Sequence, residues 1–230
     1  MSVQVTLSAN AGVAISIGPR RIWVDALHNR RNKPFSTLTP QLQMQMLSVE
    51  AFRHPDYILY THCHPDHYSE ELTDTALAIW PKAKVLSPEG KYGCFDGDAW
   101  CYTDESLNIR FFRLPHEGEQ YRHVRHFGIL ICCDGQQILL PGDCAVASEE
   151  LLKAVEPEKV DWMLLDFPWM TLKKGRNFLQ QHFPQAKKIL IHLPFAEDDR
   201  FGYRIAAEKA AALEESVHIL QDPFESVLLE

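Results

Sequence analysis

Three imidazoles and a carboxylate fall within six residues in the stretch Thr61-His62-Cys63-His64-Pro65-Asp66-His67. With His at its frequency in this chain, that arrangement arises by chance with probability on the order of 10⁻³. Neutral imidazole and carboxylate are the usual ligands of zinc and related divalent cations. Without a cation, so many titratable groups in one turn would repel one another on protonation. The spacing therefore predicts a metal site with His62, His64, Asp66 and His67 as ligands, held stiff by Pro65. Cys63 lies between two of these residues, but neighbours on extended backbone point to opposite sides, so Cys63 is read as a packing residue. Cys144 is read in the same way.

Ordered elements must hold such a turn. Residues 57–60 read as a buried strand running into the motif, and Ser69 opens a helix over 69–79 with Leu72 as its first apolar contact. Upstream, VQVTL, GVAISI and RIWVDAL, punctuated by Asn-Ala-Gly and Gly-Pro, read as an antiparallel meander. A polar loop over 28–37 follows, and Thr39-Pro40 opens a helix through QLQMQMLSVEAF, 41–52. FGILICC and QQILLPGD flank Asp134-Gly135, which predicts a hairpin with a tight turn. Thereafter helix 149–155, strand 162–167, helix 175–182, strand 188–193 and helix 203–214 alternate. No repeat or linker interrupts the chain, so residues 1–230 are read as one domain. Strands dominate the first half and strand-helix units the second. That order predicts an α+β fold, a four-layer αββα sandwich of two mixed sheets packed face to face with helices outside.

Composition narrows the function classes. The 31 acidic residues against 23 Lys plus Arg give a net charge of -8, which disfavours a polyanion such as long nucleic acid. At 46% hydrophobic and 23% charged residues, the chain is of ordinary globular type. No run approaches the ~20 apolar residues of a membrane helix, and no charged segment followed by an apolar core opens the chain. Six cysteines without a CxxC pair are read as reduced thiols, and the protein as cytoplasmic. The partner is then a small-molecule substrate, with no membrane and no long nucleic acid, and homo-oligomerisation is left open.

His62-x-His64-x-Asp66-His67 resembles the HxHxDH signature of the metallo-β-lactamase fold superfamily of metal-dependent hydrolases, in its compact, lactonase-like and phosphodiesterase-like bacterial branch. Later signatures follow in order: NIRFFRLP leads to His116, Gly142-Asp143 closes the hairpin, and KILI leads to His192. The resemblance implies that His62, His64 and His116 hold a first metal, that Asp66, His67 and His192 hold a second, and that Asp143 bridges both. His123 and His126 share the loop with His116 and remain alternatives for that ligand. Asp25 resembles a strand-end aspartate that hydrogen-bonds near the metal centre, loop capping being its other reading. His28 is read as a solvated loop histidine, and His54, His182 and His218 as structural.

Two divalent cations, zinc with manganese as the alternative, lower the pKa of a shared water from ~16 to near neutrality and supply a nucleophile without a basic side chain. Asp66 would orient that nucleophile or pass a proton to the leaving group, as its family counterpart is thought to do. Flavodiiron members usually have Glu where His64 stands, class B β-lactamases usually lack the His that His67 provides, and nucleic-acid-processing members carry arms for which 230 residues leave little room. The implied activity is hydrolysis of a small ester, a phosphodiester or a lactone. A persulfide dioxygenase-like enzyme using one iron and an RNA-processing nuclease of the same fold are the alternatives. Arg30, Arg31 and Lys33, with Lys173, Lys174 and Arg176, are candidate phosphate contacts, and Phe167, Trp169 and Phe195 form either an apolar wall or core.

Overall fold

The computed structural model describes residues 2–214 and 216–229. It contains two compact units. The first runs to Cys94 and resumes over His192–Arg204 and from Leu220 onward; the second comprises Phe95–Ile191 and Ile205–Ile219.

The first unit is built on a six-stranded sheet. Strands β1 (Val3–Ala9), β2 (Gly12–Ile17) and β3 (Arg20–Val24) form the expected antiparallel meander. β4 (Tyr57–Leu59) and β5 (Lys84–Leu86) continue parallel to β3, and β13 (Ser226–Leu229) pairs antiparallel with β1. The β1–β2 turn is tight: Asn10 takes φ 55°. A Cβ on Gly12 would lie 2.4 Å from Ser8 Oγ and 2.6 Å from the Asp25 carbonyl. Helix α1 (Pro40–Met46) links β3 to β4, and α2 (Glu70–Ile79) links β4 to β5. Ser69 Oγ accepts the Leu72 N–H (3.2 Å), and Glu70 and Glu71 sit in the positive first turn of α2.

The helix expected over 41–52 is shorter. It ends at Met46, and a 3₁₀ turn, Glu50–Phe52, takes up the remainder. Ser48 is the physical reason, because its hydroxyl and its N–H both donate to the Gln45 carbonyl (2.7 and 2.9 Å), closing a local turn in place of the helical ladder. Phe52 then enters the core against Trp23, with ring centroids 5.8 Å apart, and Trp80 meets Trp23 edge-on at 5.3 Å.

The second unit carries a seven-stranded sheet. β6 (Ala99–Asp104), β7 (Leu107–Arg113), β8 (Phe127–Cys133) and β9 (Gln136–Leu140) are antiparallel neighbours, while β10 (Trp162–Asp166), β11 (Lys187–Ile191) and β12 (Val217–Ile219) continue parallel to β9. The β8–β9 turn places Asp134 at φ 48° and Gly135 at φ 83°, as Asp-Gly requires. α3 (Glu149–Ala154), α4 (Pro168–Thr171), α5 (Lys173–His182) and α6 (Tyr203–Ala211) complete the elements. α6 stops three residues short of the expected 214, and α4 was not foreseen. The fold class is α+β with two mixed sheets, and no helix among the described residues is long and apolar enough to cross a membrane.

The chemistry-bearing residues follow the carboxyl ends of parallel-paired strands, the usual place for sites in such sheets. Asp25 follows β3 and His62 to His67 follow β4; Asp143 follows β9, Asp166 ends β10 and His192 follows β11. The α4–α5 junction beyond β10 has no spare room, since a Cβ on Gly175 would lie 2.2 Å from the Trp169 carbonyl oxygen and 2.8 Å from its carbon. Backbone cannot swing aside as a side-chain tip can. Gly175→Ala is therefore expected to destabilise the protein by about 3 kcal/mol, read as a lower urea midpoint at unchanged slope. An unchanged midpoint would contradict this contact.

Candidate metal centre

Asp25 organises the candidate ligands of the first unit. Its N–H donates to the Leu59 carbonyl (2.9 Å), which ties it to the end of β4. Its Oδ1 accepts the Thr61 N–H (2.8 Å), and its Oδ2 accepts the Thr61 hydroxyl (2.6 Å) and His67 Nδ1–H (2.9 Å). With the Thr61 proton directed to Asp25, the Thr61 oxygen is left to accept His62 Nδ1–H (2.9 Å). The network thus assigns the protons of both rings to Nδ1 and leaves both Nε2 atoms as lone-pair donors for a metal. Asp25 thus both caps the loop after β4, through the Thr61 N–H, and touches the His67 ring.

The turn itself is closed by the His64 carbonyl, which accepts the N–H groups of His67 (3.0 Å) and Tyr68 (2.9 Å). That turn brings His67 back beside His62, with ring centroids 4.2 Å apart, and His64 lies 4.6 Å from His62. His192, at φ 61°, donates its N–H to the Asn10 carbonyl (2.9 Å), and Asn10 Nδ2 donates to the Asp66 carbonyl (3.3 Å). The β1–β2 turn therefore holds the backbone of both residues. Asp66, His67 and His192 each offer a ligand atom, all within 4.8 Å of one another, and all three residues are buried. Asn32 Nδ2 donates to Asp66 Oδ1 (3.3 Å), and Phe35 stacks on the His192 ring at 4.1 Å and 16°.

In the second unit, His116 and Cys144 form an isolated antiparallel bridge. The Ala145 N–H donates to the Pro115 carbonyl and the Glu117 N–H to the Asp143 carbonyl, both at 2.8 Å. This pairing sets His116 Nε2 3.5 Å from Asp143 Oδ2, while His116 Nδ1–H donates to the Glu117 carbonyl (2.8 Å). A lone-pair nitrogen facing a carboxylate oxygen at that distance suits a shared cation. His123 is exposed, and His126 is buried with Nδ1 on the Leu114 carbonyl (3.2 Å) and its ring 5.4 Å from His116. Asp166, which the sequence reading passed over, offers an oxygen within 4.8 Å of Asp143. Its one signal was an acid closing the buried strand WMLLD.

One placement departs from expectation, and others follow one of the readings the sequence offered. His28 is fully buried rather than solvated: Nε2–H donates to the Ala9 carbonyl (3.1 Å), and Nδ1 lies 3.2 Å from Thr37 Oγ1. Phe167, Trp169 and Phe195 are buried core. Arg176 donates to the Met170 and Thr171 carbonyls (2.7 and 2.9 Å), so it clamps α4, and Lys174 reaches Glu117 at 3.9 Å. All six cysteines are free. Burial pushes the Cys63 thiol up to about 12, which leaves it protonated and unreactive at neutral pH, and Cys144 is likewise pushed up by burial.

No protein-family model matches the sequence, and no curated protein matches it. Solved structures do. Igni18, a metallo hydrolase from the hyperthermophilic archaeon Ignicoccus hospitalis, matches with a TM-score of 0.66 at 15% identity, over 100% of this chain and 99% of its own. YhfI from Bacillus subtilis, a metallo-β-lactamase fold protein, matches at 0.66 and 12%, over 99% of this chain and 100% of its own. CmlA, a diiron β-hydroxylase from Streptomyces venezuelae, matches at 0.61 and 15%, over 99% of this chain and 54% of its own. At such identities the likeness is one of fold, and the chain has the metallo-β-lactamase fold.

The burial of His28 has a measurable consequence. Burial lowers its pKa from 6.5 to about 4, so the folded state keeps the ring neutral while the unfolded chain takes up a proton below the ordinary value. The stability is complete above pH 6.5 and is lost as pH falls toward 4, by about 3 kcal/mol in all. His28→Asn, which retains an amide donor, is expected to lose about 2–3 kcal/mol less than wild type between pH 7.5 and 4.5 in urea unfolding. Equal losses in both proteins would refute the neutral, buried ring.

Proposed function

We propose that this protein is a metal-dependent hydrolase that takes two divalent cations, zinc or manganese, and cleaves a small ester, a phosphodiester or a lactone. The observation that carries the reading is the convergence of Asp66, His67 and His192 inside the first unit, with His67 oriented by Asp25. In this reading Asp66, His67 and His192 hold one cation within the first unit, and His62, His64, His116 and Asp143 keep the ligand roles that the sequence resemblance implies. The donor set, imidazole nitrogen and carboxylate oxygen, suits zinc and its neighbours. Cations so held act as Lewis acids and activate water at neutral pH.

The chain's own groups do the positioning. Asp25 and Thr61 hold the His67 and His62 rings in the tautomer that presents Nε2, so binding a cation requires no ring reorientation. Asn32 holds Asp66 Oδ1, and in this reading Asp66 passes a proton to the leaving oxygen; its Oδ2 lies 3.8 Å from His192 Nε2. The six free thiols accord with a reducing compartment, and we place the protein in the cytoplasm acting on a small molecule. A second reading, oxygen chemistry at iron, is favoured by the likeness to CmlA, a diiron β-hydroxylase of the same fold.

Elemental analysis of protein purified without chelator or nickel separates the two. About two zinc or manganese ions per chain are expected, falling in both His64→Ala and Asp143→Ala, together with turnover of bis(p-nitrophenyl) phosphate or a lactone. Iron in their place transfers the reading to oxygen chemistry, and undiminished metal in the variants sinks the ligand assignment. Asp25→Asn keeps the shape but removes the charge opposite His67 Nδ1. It is expected to weaken zinc binding by about 10–100-fold in competition with a chromogenic chelator. Unchanged affinity would mean that Asp25 serves the turn alone.

A further inference from the structure

A cavity of about 460 Å³ in the first unit is lined by Arg31, Lys33 and Arg200, by the carboxylate of Asp198, and by Pro34, Phe201 and Tyr203. Its charge runs against that of the chain, which carries -8 overall. Asp198 is already engaged: it takes the Arg31 guanidinium on Oδ1 and the Ser36 hydroxyl on Oδ2 (2.8 Å), while Ser36 Oγ accepts the Phe195 N–H (2.8 Å). Asp199 caps the start of α6 by accepting the N–H groups of Tyr203 and Arg204, both at 2.9 Å. Lys33 and Arg200 have no carboxylate within ion-pair reach among the described residues. The cavity therefore holds two uncompensated cations beside a third that is latched.

The aromatic lining points to the rest of the ligand. Phe201 is 68% exposed, a large apolar side chain left in water, and it stacks on Tyr203 with centroids 5.5 Å apart and planes 30° apart. A ring platform beside free cations recognises a flat ring that carries an anion, through stacking on one side and charge-assisted hydrogen bonds on the other. The volume lies within the ordinary range for small-molecule sites. The same loop reaches the candidate ligands: Arg31, Lys33 and Pro34 line the cavity, while Asn32 bonds Asp66 and Phe35 stacks on His192.

We propose that this cavity binds a small molecule that joins an anionic group to a flat ring, the chemistry of a nucleoside monophosphate, and that it receives one arm of a phosphodiester substrate. The substrate role rests on the hydrolase reading. The binding does not, because none of the lining residues is a candidate metal ligand. Isothermal titration of the full-length protein, both metal-stripped and zinc-loaded, with adenosine 5′-monophosphate, inorganic phosphate and adenosine tests it. The monophosphate is expected to bind both forms at least about tenfold more tightly than either fragment. Arg200→Ala and Phe201→Ala, both at exposed positions, are each expected to weaken it by about tenfold, with phosphate binding sensitive to Arg200 alone. Absence of binding, binding indifferent to both substitutions, or phosphate binding as tightly as the monophosphate would overturn the proposal. Binding without any phosphodiester turnover by the zinc-loaded protein would keep the ligand site and remove its role as a substrate arm.

Discussion

A buried carboxylate must find donors on every side, and Asp25, 3% exposed, meets that demand in a way that orders much of the first unit. Its three acceptor contacts go to two groups of Thr61 and to His67, so the strand end after β3 and the loop after β4 are joined through one side chain. The cost of taking a charge out of water is offset only if all three donors stay in place. Satisfying Asp25 therefore fixes the His67 ring and, through the Thr61 hydroxyl, the His62 ring. The orientation of two candidate ligands is obtained here as a by-product of solving a desolvation problem.

The backbone around this point carries strain in the same service. Asn10, Asp25 and His192 all adopt positive φ, at 55°, 50° and 61°. Such residues cost about 1–3 kcal/mol each and persist only where their surroundings over-determine them. Here the Asn10 carbonyl accepts the His192 N–H, the Asn10 amide donates to the Asp66 carbonyl, and the Asp25 N–H donates to the Leu59 carbonyl. Asn10 and His192 are held to each other directly, while Asp25 is held by Leu59, Thr61 and His67.

What could be read from the sequence was what is decided locally. The motif after β4, the Ser69 cap and the Asp-Gly turn all depend on residues within a few positions of one another, and they stand where periodicity and capping chemistry put them. His28 could not be read, because its burial is decided by the Ala9 carbonyl and Thr37, reached only when distant segments close around it. The short strands β5 and β6 gave little signal, since three residues of KVL and the alternately half-exposed AWCYTD lack a full apolar face. Asp166 was hidden for another reason: an acid after a hydrophobic strand looks like the start of a cap until β9 and β10 are paired.

Electrostatics give the reason why a cation would suit these residues. His62, His67, Asp66 and Asp25 are all at most 1–3% exposed, and His192 is 5% exposed. If the imidazoles are neutral, in the tautomer with Nδ1–H that the contacts of His62 and His67 accommodate, the buried group carries the charge of its two carboxylates. If the imidazoles are protonated instead, several like charges stand within ring-contact distance of one another in a medium of low dielectric. A divalent cation removes both difficulties, because it compensates the carboxylates and takes the lone pairs that neutral imidazoles present. Proton and metal then compete for the same nitrogen atoms, so occupancy is coupled to pH through the ligands themselves. The fold holds those nitrogens in the form that favours the metal.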